Sequence, residues 1–293
     1  IVTVADDGGS SGRLRDELSV PPPGDVRNVL AALSDVEALI EQMFQHRFKG
    51  SAELGGHSLG NLILAAMTSI TGDFVHAIRE MSKVLNVRGK VLPAANQAVV
   101  LHAELEDGTI ISGESNIPHS EKKIKKVFLT PGMVKPLSET ILAIRKADLI
   151  VIGPGSLYTS ILPNLLVPRI GMEVSNAKAK KVYICNLMTQ AGETQGFSAS
   201  DHVRAIYEHL GCACLDTILV NSEEVPPEVK LRYKEEHAQP VHFDVARLLE
   251  LGLEVVQEQI MTFEKEYIRH DTKKVAQILY QMLISETETM FGS

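Results

Sequence analysis

Val2-Thr3-Val4-Ala5-Asp6-Asp7-Gly8-Gly9-Ser10-Ser11-Gly12-Arg13 opens the chain and decides how the rest is read. Four β-favouring or small apolar residues run into two carboxylates and then into glycine and serine. A strand of a parallel sheet is a continuous apolar run, and ligands sit beyond its carboxyl end. Gly8, Gly9 and Gly12 keep Cβ atoms away from a ligand, Ser10 and Ser11 supply hydroxyls, and Arg13 supplies a planar cation suited to phosphate. The same letters also fit a strand-to-helix turn in which Asp7 or Ser10 caps a helix, and this stretch alone leaves both readings open.

The pattern recurs further along. Ala147-Asp148-Leu149-Ile150-Val151-Ile152 runs into Gly153-Pro154-Gly155-Ser156, with hydroxyls following at Thr159 and Ser160. A third strand over 180–186 leads into Met188-Thr189-Gln190-Ala191-Gly192, and a fourth over 217–220 ends at Asn221. Helical spacing predicts helices over 26–39, 62–70, 72–85, 138–146, 171–177, 200–210, 245–251 and 272–283, and another after Pro226-Pro227. In the last, Val275, Ile278, Leu279 and Met282 form the inward stripe. Asp25 is the expected N-cap of the first, with Arg27 and Asn28 in the turn that favours anions. Strand, glycine loop and helix alternate, which predicts an α/β fold with a doubly wound, mostly parallel sheet.

Residues 88–127 break this rhythm with strand-like segments over 91–93, 98–105 and 109–112 and a turn at Glu106-Asp107-Gly108, a small β-rich insertion. Lys122, Lys123, Lys125 and Lys126 read as a solvated edge in preference to a phosphate cluster. His57, Ser58 and Asn61 follow Gly55-Gly56 at the head of a helix, where a ligand contact suits His57. A serine hydrolase is rejected, because His57-Ser58-Leu59-Gly60 lacks the glycine two residues before the serine. A dinucleotide dehydrogenase lacks its G-x-G-x-x-G with a following acid. Locally, Arg269-His270 reads equally as a phosphate contact or as a surface cap. A short strand is expected over 240–243.

With 293 residues, a net charge of −8, 5% aromatic residues and no Trp, the chain offers neither a basic surface nor a stacking platform for nucleic acid. Its apolar runs are too short to span a bilayer, and Cys185, Cys212 and Cys214 read as reduced core thiols. The expectation is a cytoplasmic protein with no nucleic-acid partner and no membrane insertion. The chain begins at Ile1 inside a predicted strand, so a preceding strand-helix unit is expected.

Val4 to Arg13, Pro22-Pro23-Gly24-Asp25-Val26-Arg27-Asn28, Gly56 to Asn61, Val87 to Pro93, Gly153 to Ser160, Met188-Thr189-Gln190 and Arg269-His270-Asp271 together resemble the YvcK branch of the CofD-like superfamily. The resemblance covers nearly the whole chain. It implies a single three-layer Rossmann-like domain over 1–293, with the insertion at 88–127 and a C-terminal segment, 226–293, completing a nucleotide-sugar site. It also implies a Gly-rich element before residue 1, a homodimer, and a glycine where Arg169 stands. The branch implies a regulator that binds UDP-N-acetylglucosamine or a related UDP-sugar, needed for cell shape and cell-wall synthesis under gluconeogenic growth, with a cell-wall synthesis protein as partner. Tyr233 and Arg269 match the family's nucleotide-sugar contacts. CofD itself implies the alternative, a transferase moving a phospholactyl-type group from a nucleoside diphosphate derivative to an acceptor hydroxyl with Mg2+.

The nucleotide- and phosphate-binding set expected from residues and resemblance is Gly8, Gly9, Ser10, Ser11, Arg13, Asp25, Arg27, Asn28, His57, Asn61, Gly153, Gly155, Ser156, Thr189, Tyr233 and Arg269. Asp6 and Asp7 are catalytic carboxylates and Mg2+ ligands in the transferase reading only. No cofactor is established from sequence, and whether the chain turns over a substrate is left open.

Overall fold

The computed structural model describes all residues except 51, 52, 121, 265, 266, 292 and 293, and side chains of the last helix as far as Ser285. The chain forms two compact units, Ile1–Ala143 with Tyr158–Gly171, and Ile144–Leu157 with Met172–Ser293.

The first unit starts with the buried segment Val2 to Ala5. The strand expected there is reduced to one parallel bridge, Val2 to Pro93, with a bend at Val4. Val2 N–H donates to Leu92 O at 2.9 Å and Ala94 N–H to Val2 O at 2.8 Å. The next contact is Val99 N–H to Val4 O at 3.4 Å, so the pairing does not continue in register. The glycine-serine stretch is not a loop. It is the first turn of helix α1 (Gly9–Leu18), with Gly8 as N-cap and no side-chain cap, so neither Asp7 nor Ser10 caps it.

Helix α2 (Gly24–Leu33) begins one turn-position before Asp25, with Pro23 as N-cap, so Asp25 stands inside its first turn and does not cap it. It stops short of the expected 39, because Ser34 turns extended and its hydroxyl returns to Ala31 O at 2.7 Å. Helices α3 (Ala38–Gln45), α4 (Leu59–Thr71) and α5 (Phe74–Val84) follow, the last two capped by Ser58 and Asp73. The β-rich insertion is a three-stranded antiparallel sheet, with β1 (Val100–Leu105) between β2 (Ile110–Ser112) and β3 (Ile124–Thr130). On edge strand β3, Lys125 and Lys126 pair with Glu104 at 2.7 and 2.9 Å, and Lys122 pairs with Asp107, so these lysines serve the sheet edge.

The chain passes between units within α6 (Ser138–Lys146) and includes a short α7 (Leu162–Leu165). Arg169, at the expected glycine position, has φ +73°, which explains why glycine suits that site.

The second unit is a parallel sheet in chain order: β4 (Leu149–Ile152), β5 (Lys180–Ile184), β6 (Thr217–Asn221) and β7 (Glu254–Glu258). Between the strands run α8 (Ile170–Asn176), α9 (Ala199–Leu210), α10 (Pro227–Glu235) and α11 (Val245–Glu250). A hairpin of β8 (Met261–Glu264) and β9 (Tyr267–His270) precedes α12 (Thr272–Phe291). The stripe expected on α12 packs as read: Val275, with Ile278, Leu279 and Met282, lies on Val182, Ile184, Leu219 and Ile260. The strand expected over 240–243 is reduced to two bridges, Met188 to Pro240 and Ser198 to His242. Cys185 and Cys214 are buried as expected, but Cys212 is exposed. Among the described residues no single helix is long and apolar enough to cross a membrane.

Candidate functional site

Each unit carries one polar pocket built from the expected residues. In the first unit, a pocket of about 300 Å³ is walled by Asp6, Gly8, Gly9, Ser10 and Ser11 at the head of α1, and by Asp25, Arg27 and Asn28 from the first turn of α2. Asn61 from α4, Arg47 and Glu114 complete it. The two helix starts come together because Gly24 has no side chain: a Cβ there would overlap Asp6 Oδ2 and Ser11 Oγ.

Buried Arg27 is aimed by two amides, its Nε donating to Asn61 Oδ1 at 3.0 Å and its Nη2 to Asn28 Oδ1 at 2.6 Å. Asn61 Nδ2 in turn donates to Ser10 Oγ at 3.1 Å and Ser11 Oγ at 3.3 Å. Ser10 Oγ also accepts Ser58 N–H at 3.4 Å, which leaves its own hydrogen for His57 Nδ1 at 3.0 Å. His57 suits that role, since burial, and then the positive charge of Arg13, hold its pKa below the usual histidine value. Asp25 is pushed up to about 6, first by burial and then by the charge of Asp6, with Arg27 opposing. Burial, then Arg47, lowers the pKa of Arg27.

Three expected residues stand outside this pocket. His57 is buried behind Ser10. Arg13 spends its guanidinium on Gly55 O at 2.6 Å and Glu53 O at 3.4 Å. Asp7 Oδ1 accepts Ser115 N–H at 2.8 Å, and its other oxygen lies against Gly113, whose φ of +98° and missing Cβ admit it. Adjacent in sequence, Asp6 and Asp7 therefore part. The carboxylates that share the pocket with Asp6 are Asp25 and Glu114. Among the described residues no three His, Cys, Asp or Glu side chains gather into a metal cluster. Asp6 and Asp25, beside hydroxyls, do fit Mg2+, which takes one or two protein carboxylates together with substrate phosphates.

In the second unit, a cavity of about 600 Å³ opens at the carboxyl ends of β4 and β5. Gly153, with φ +83°, turns the chain after β4 and stays behind the wall, while Gly155 and Ser156 line it. Asn186 ties β5 to that turn: its Nδ2 donates to Gly155 O at 2.9 Å and its Oδ1 accepts Tyr183 Oη–H at 3.2 Å. Gln190 Nε2 donates to Ser156 Oγ at 2.8 Å. Thr189 is latched to Gln239 through N–H to O at 2.8 Å and through Oγ1, which accepts Gln239 N–H at 3.0 Å. From the hairpin, Arg269 lies over the Tyr267 ring at 5.4 Å and donates to Ile268 O at 2.9 Å. Tyr233 Oη accepts Ile268 N–H at 2.9 Å, so α10 fixes the strand that carries Arg269. His270 Nε2 donates to Cys185 O at 3.1 Å, and burial lowers its pKa.

Arg47 and Glu114 in the first pocket, and Asn186, Gln190, Glu236 and Tyr267 in the second, are wall residues that sequence reasoning passed over. Asn186 had a usable signal, its place at the end of a strand, and Tyr267 shares a strand face with Arg269 two residues on. Arg47 had none.

A family profile described as 2-phospho-L-lactate transferase CofD matches residues 1–261. The gluconeogenesis factor of Bacillus subtilis (strain 168) is 68% identical over 283 residues, covering 97% of this chain and 89% of that protein. The gluconeogenesis factor of Listeria monocytogenes serovar 1/2a is 47% identical over 287 residues, covering 98% and 88%. A crystal structure of a Bacillus halodurans protein superposes with a TM-score of 0.94 at 60% identity, covering 96% of this chain and 90% of that one.

Proposed function

The chain belongs to the CofD family, and from that premise we propose that it is a nucleotide-sugar-binding regulator of the UDP-N-acetylglucosamine type. It acts in the cytoplasm, as a homodimer, and reports sugar-nucleotide supply to a cell-wall synthesis partner and so to cell shape. Relatives named gluconeogenesis factor support a role under gluconeogenic growth. The observation that carries the ligand is that Gly155, Ser156, Thr189, Tyr233 and Arg269, drawn from four separate segments, line one cavity. Arg269 supplies a cation for the diphosphate, and aromatic Tyr267 and Tyr233 supply flat apolar surface with polar edges. A ligand that binds one of two states better shifts their populations, which is how binding becomes a signal.

Calorimetric titration of UDP-N-acetylglucosamine, with GDP as comparison, tests this on the wild type and on Arg269→Ala. Binding of the UDP-sugar that the substitution abolishes supports the regulator. Binding of GDP alone, unaffected by Arg269→Ala, rejects it.

One observation favours the transferase as second reading: Asp6 and Asp25 face a pocket that also holds Arg27 and Arg47. Asp6 and Asp25 would hold Mg2+, which when bound offsets charge on a leaving nucleotide. Arg27 and Arg47 would orient phosphate, and Ser10 and Ser11 would supply hydroxyls to it. Loss of Mg2+-dependent GDP binding in Asp6→Asn, with Asp7→Asn unaffected, is the expected result under that reading.

A further inference from the structure

A second cavity in the same unit, about 450 Å³, opens at the carboxyl ends of β5 and β6. Asn186 and Leu187 stand in its wall and in that of the nucleotide cavity, so the two spaces adjoin. Their chemistry differs. The nucleotide cavity has Arg269 and the glycine-serine turn, with one carboxylate, Glu236. The second has Glu223 and Glu224, and its one lysine, Lys230, is paired with Glu224 at 3.0 Å. A phosphate placed there would face carboxylate without a free cation.

The rest of the wall suits a neutral, hydroxyl-rich ring. Leu187, Val225, Val241 and Phe243 give it an apolar side. The segment carrying Val241 to Phe243 is held in place, with Val241 N–H donating to Leu187 O at 3.0 Å and His242 O accepting Ala199 N–H at 2.8 Å. Phe243 stacks with His242 at a ring separation of 6.4 Å. In the same wall, Glu223 is half-buried; its carbonyl accepts Asn221 Nδ2 at 2.8 Å, while its carboxylate has no partner among the described residues. An ionised carboxylate only accepts hydrogen bonds, and a sugar hydroxyl is the uncharged donor that meets it.

We propose that this cavity is the hexose subsite of the nucleotide-sugar site, with Glu223 accepting hydrogen bonds from ring hydroxyls and Phe243 flanking the apolar face of the pyranose. The inference rests on the nucleotide-sugar reading above and adds to it which residues distinguish the sugar from bare nucleotide.

The test is calorimetric titration of UDP and of UDP-N-acetylglucosamine into wild type, Glu223→Ala and Glu223→Gln. Wild type is expected to bind the UDP-sugar more tightly than UDP. Glu223→Ala is expected to cut UDP-sugar affinity about tenfold or more while leaving UDP affinity within about twofold, and Glu223→Gln, which keeps one acceptor, to fall between. Unchanged UDP binding in the same variants shows that they are folded. If all three proteins bind both ligands with the same ratio of affinities, the subsite is wrong and the nucleotide-sugar reading stands. If the wild type binds neither ligand, the nucleotide-sugar reading falls and the subsite with it.

Discussion

Tyr233 and Ile268 meet through one hydrogen bond, the phenol oxygen accepting the backbone N–H at 2.9 Å where both residues are buried. Tyr233→Phe removes the acceptor and strands that N–H. A buried donor without a partner costs about 1–3 kcal/mol. The expected result is a lower denaturation midpoint together with weaker UDP-sugar binding, because β9 then holds Arg269 less firmly. Unfolding in urea and a parallel titration read both. Weaker binding with unaltered stability would mean that the hydroxyl touches ligand and does not position the strand.

Asp25 gives a pH signature. Its folded pKa is about 6, above the unfolded value of about 3.9, so the folded state binds the proton more tightly. The associated stability is present below about pH 4 and is lost as pH rises through about 6. Asp25→Asn removes the cost of ionisation and is expected to stabilise the metal-free protein by about 1–3 kcal/mol at pH 7.5 and by almost nothing at pH 4. Urea unfolding in chelator at the two pH values measures the difference. Equal effects at both would show that the group is not held protonated by its surroundings.

Gly24 allows α1 and α2 to meet. Gly24→Ala puts a methyl group into Asp6 Oδ2 and Ser11 Oγ. Overpacking of this kind costs about 1–3 kcal/mol. The substitution is expected to lower the melting temperature and weaken phosphate-containing ligands of the first pocket, while UDP binding in the second unit holds. Unchanged melting would contradict the close approach.

Ser198 and Asp201 form a reciprocal capping box on α9, and Ser198 and Ser200 hydroxyls reach Asp244 at 3.2 and 2.6 Å. Hydrogen bonds from Ser200 and Ser198 hold the Asp244 pKa below its ordinary value against its burial. Ser198→Ala is expected to cost about 1–2 kcal/mol. Because Asp244 is favoured in its ionised form, that cost is expected to shrink in acid, as chemical denaturation at pH 3 and pH 7 would record.

Much of the fold was written locally. The strands at 149–152, 180–184 and 217–221 are short apolar runs, and the inward stripe of the last helix shows in its spacing. Strands β7 to β9 were hidden, because Glu254, Glu258, Thr262 and Glu264 face solvent and break the apolar signal. Arg27, Asn28 and Asn61 were legible as head-of-helix residues. That Asp25 and not Asp7 accompanies Asp6 was not, since the choice depends on where Ser115 presents its N–H and on Gly24 admitting the contact. The expected site residues also divide between two units, a partition that spacing along the chain does not encode.

Val275 of α12 completes a cluster with Ile260 and with Val182, Ile184 and Leu219, three residues made much earlier in the chain. On the ribosome, the earlier strands emerge with one face bare until α12 has been synthesised. Burial of this sheet face therefore depends on α12, and truncation ahead of Thr272 would leave an aggregation-prone sheet, however complete its strands.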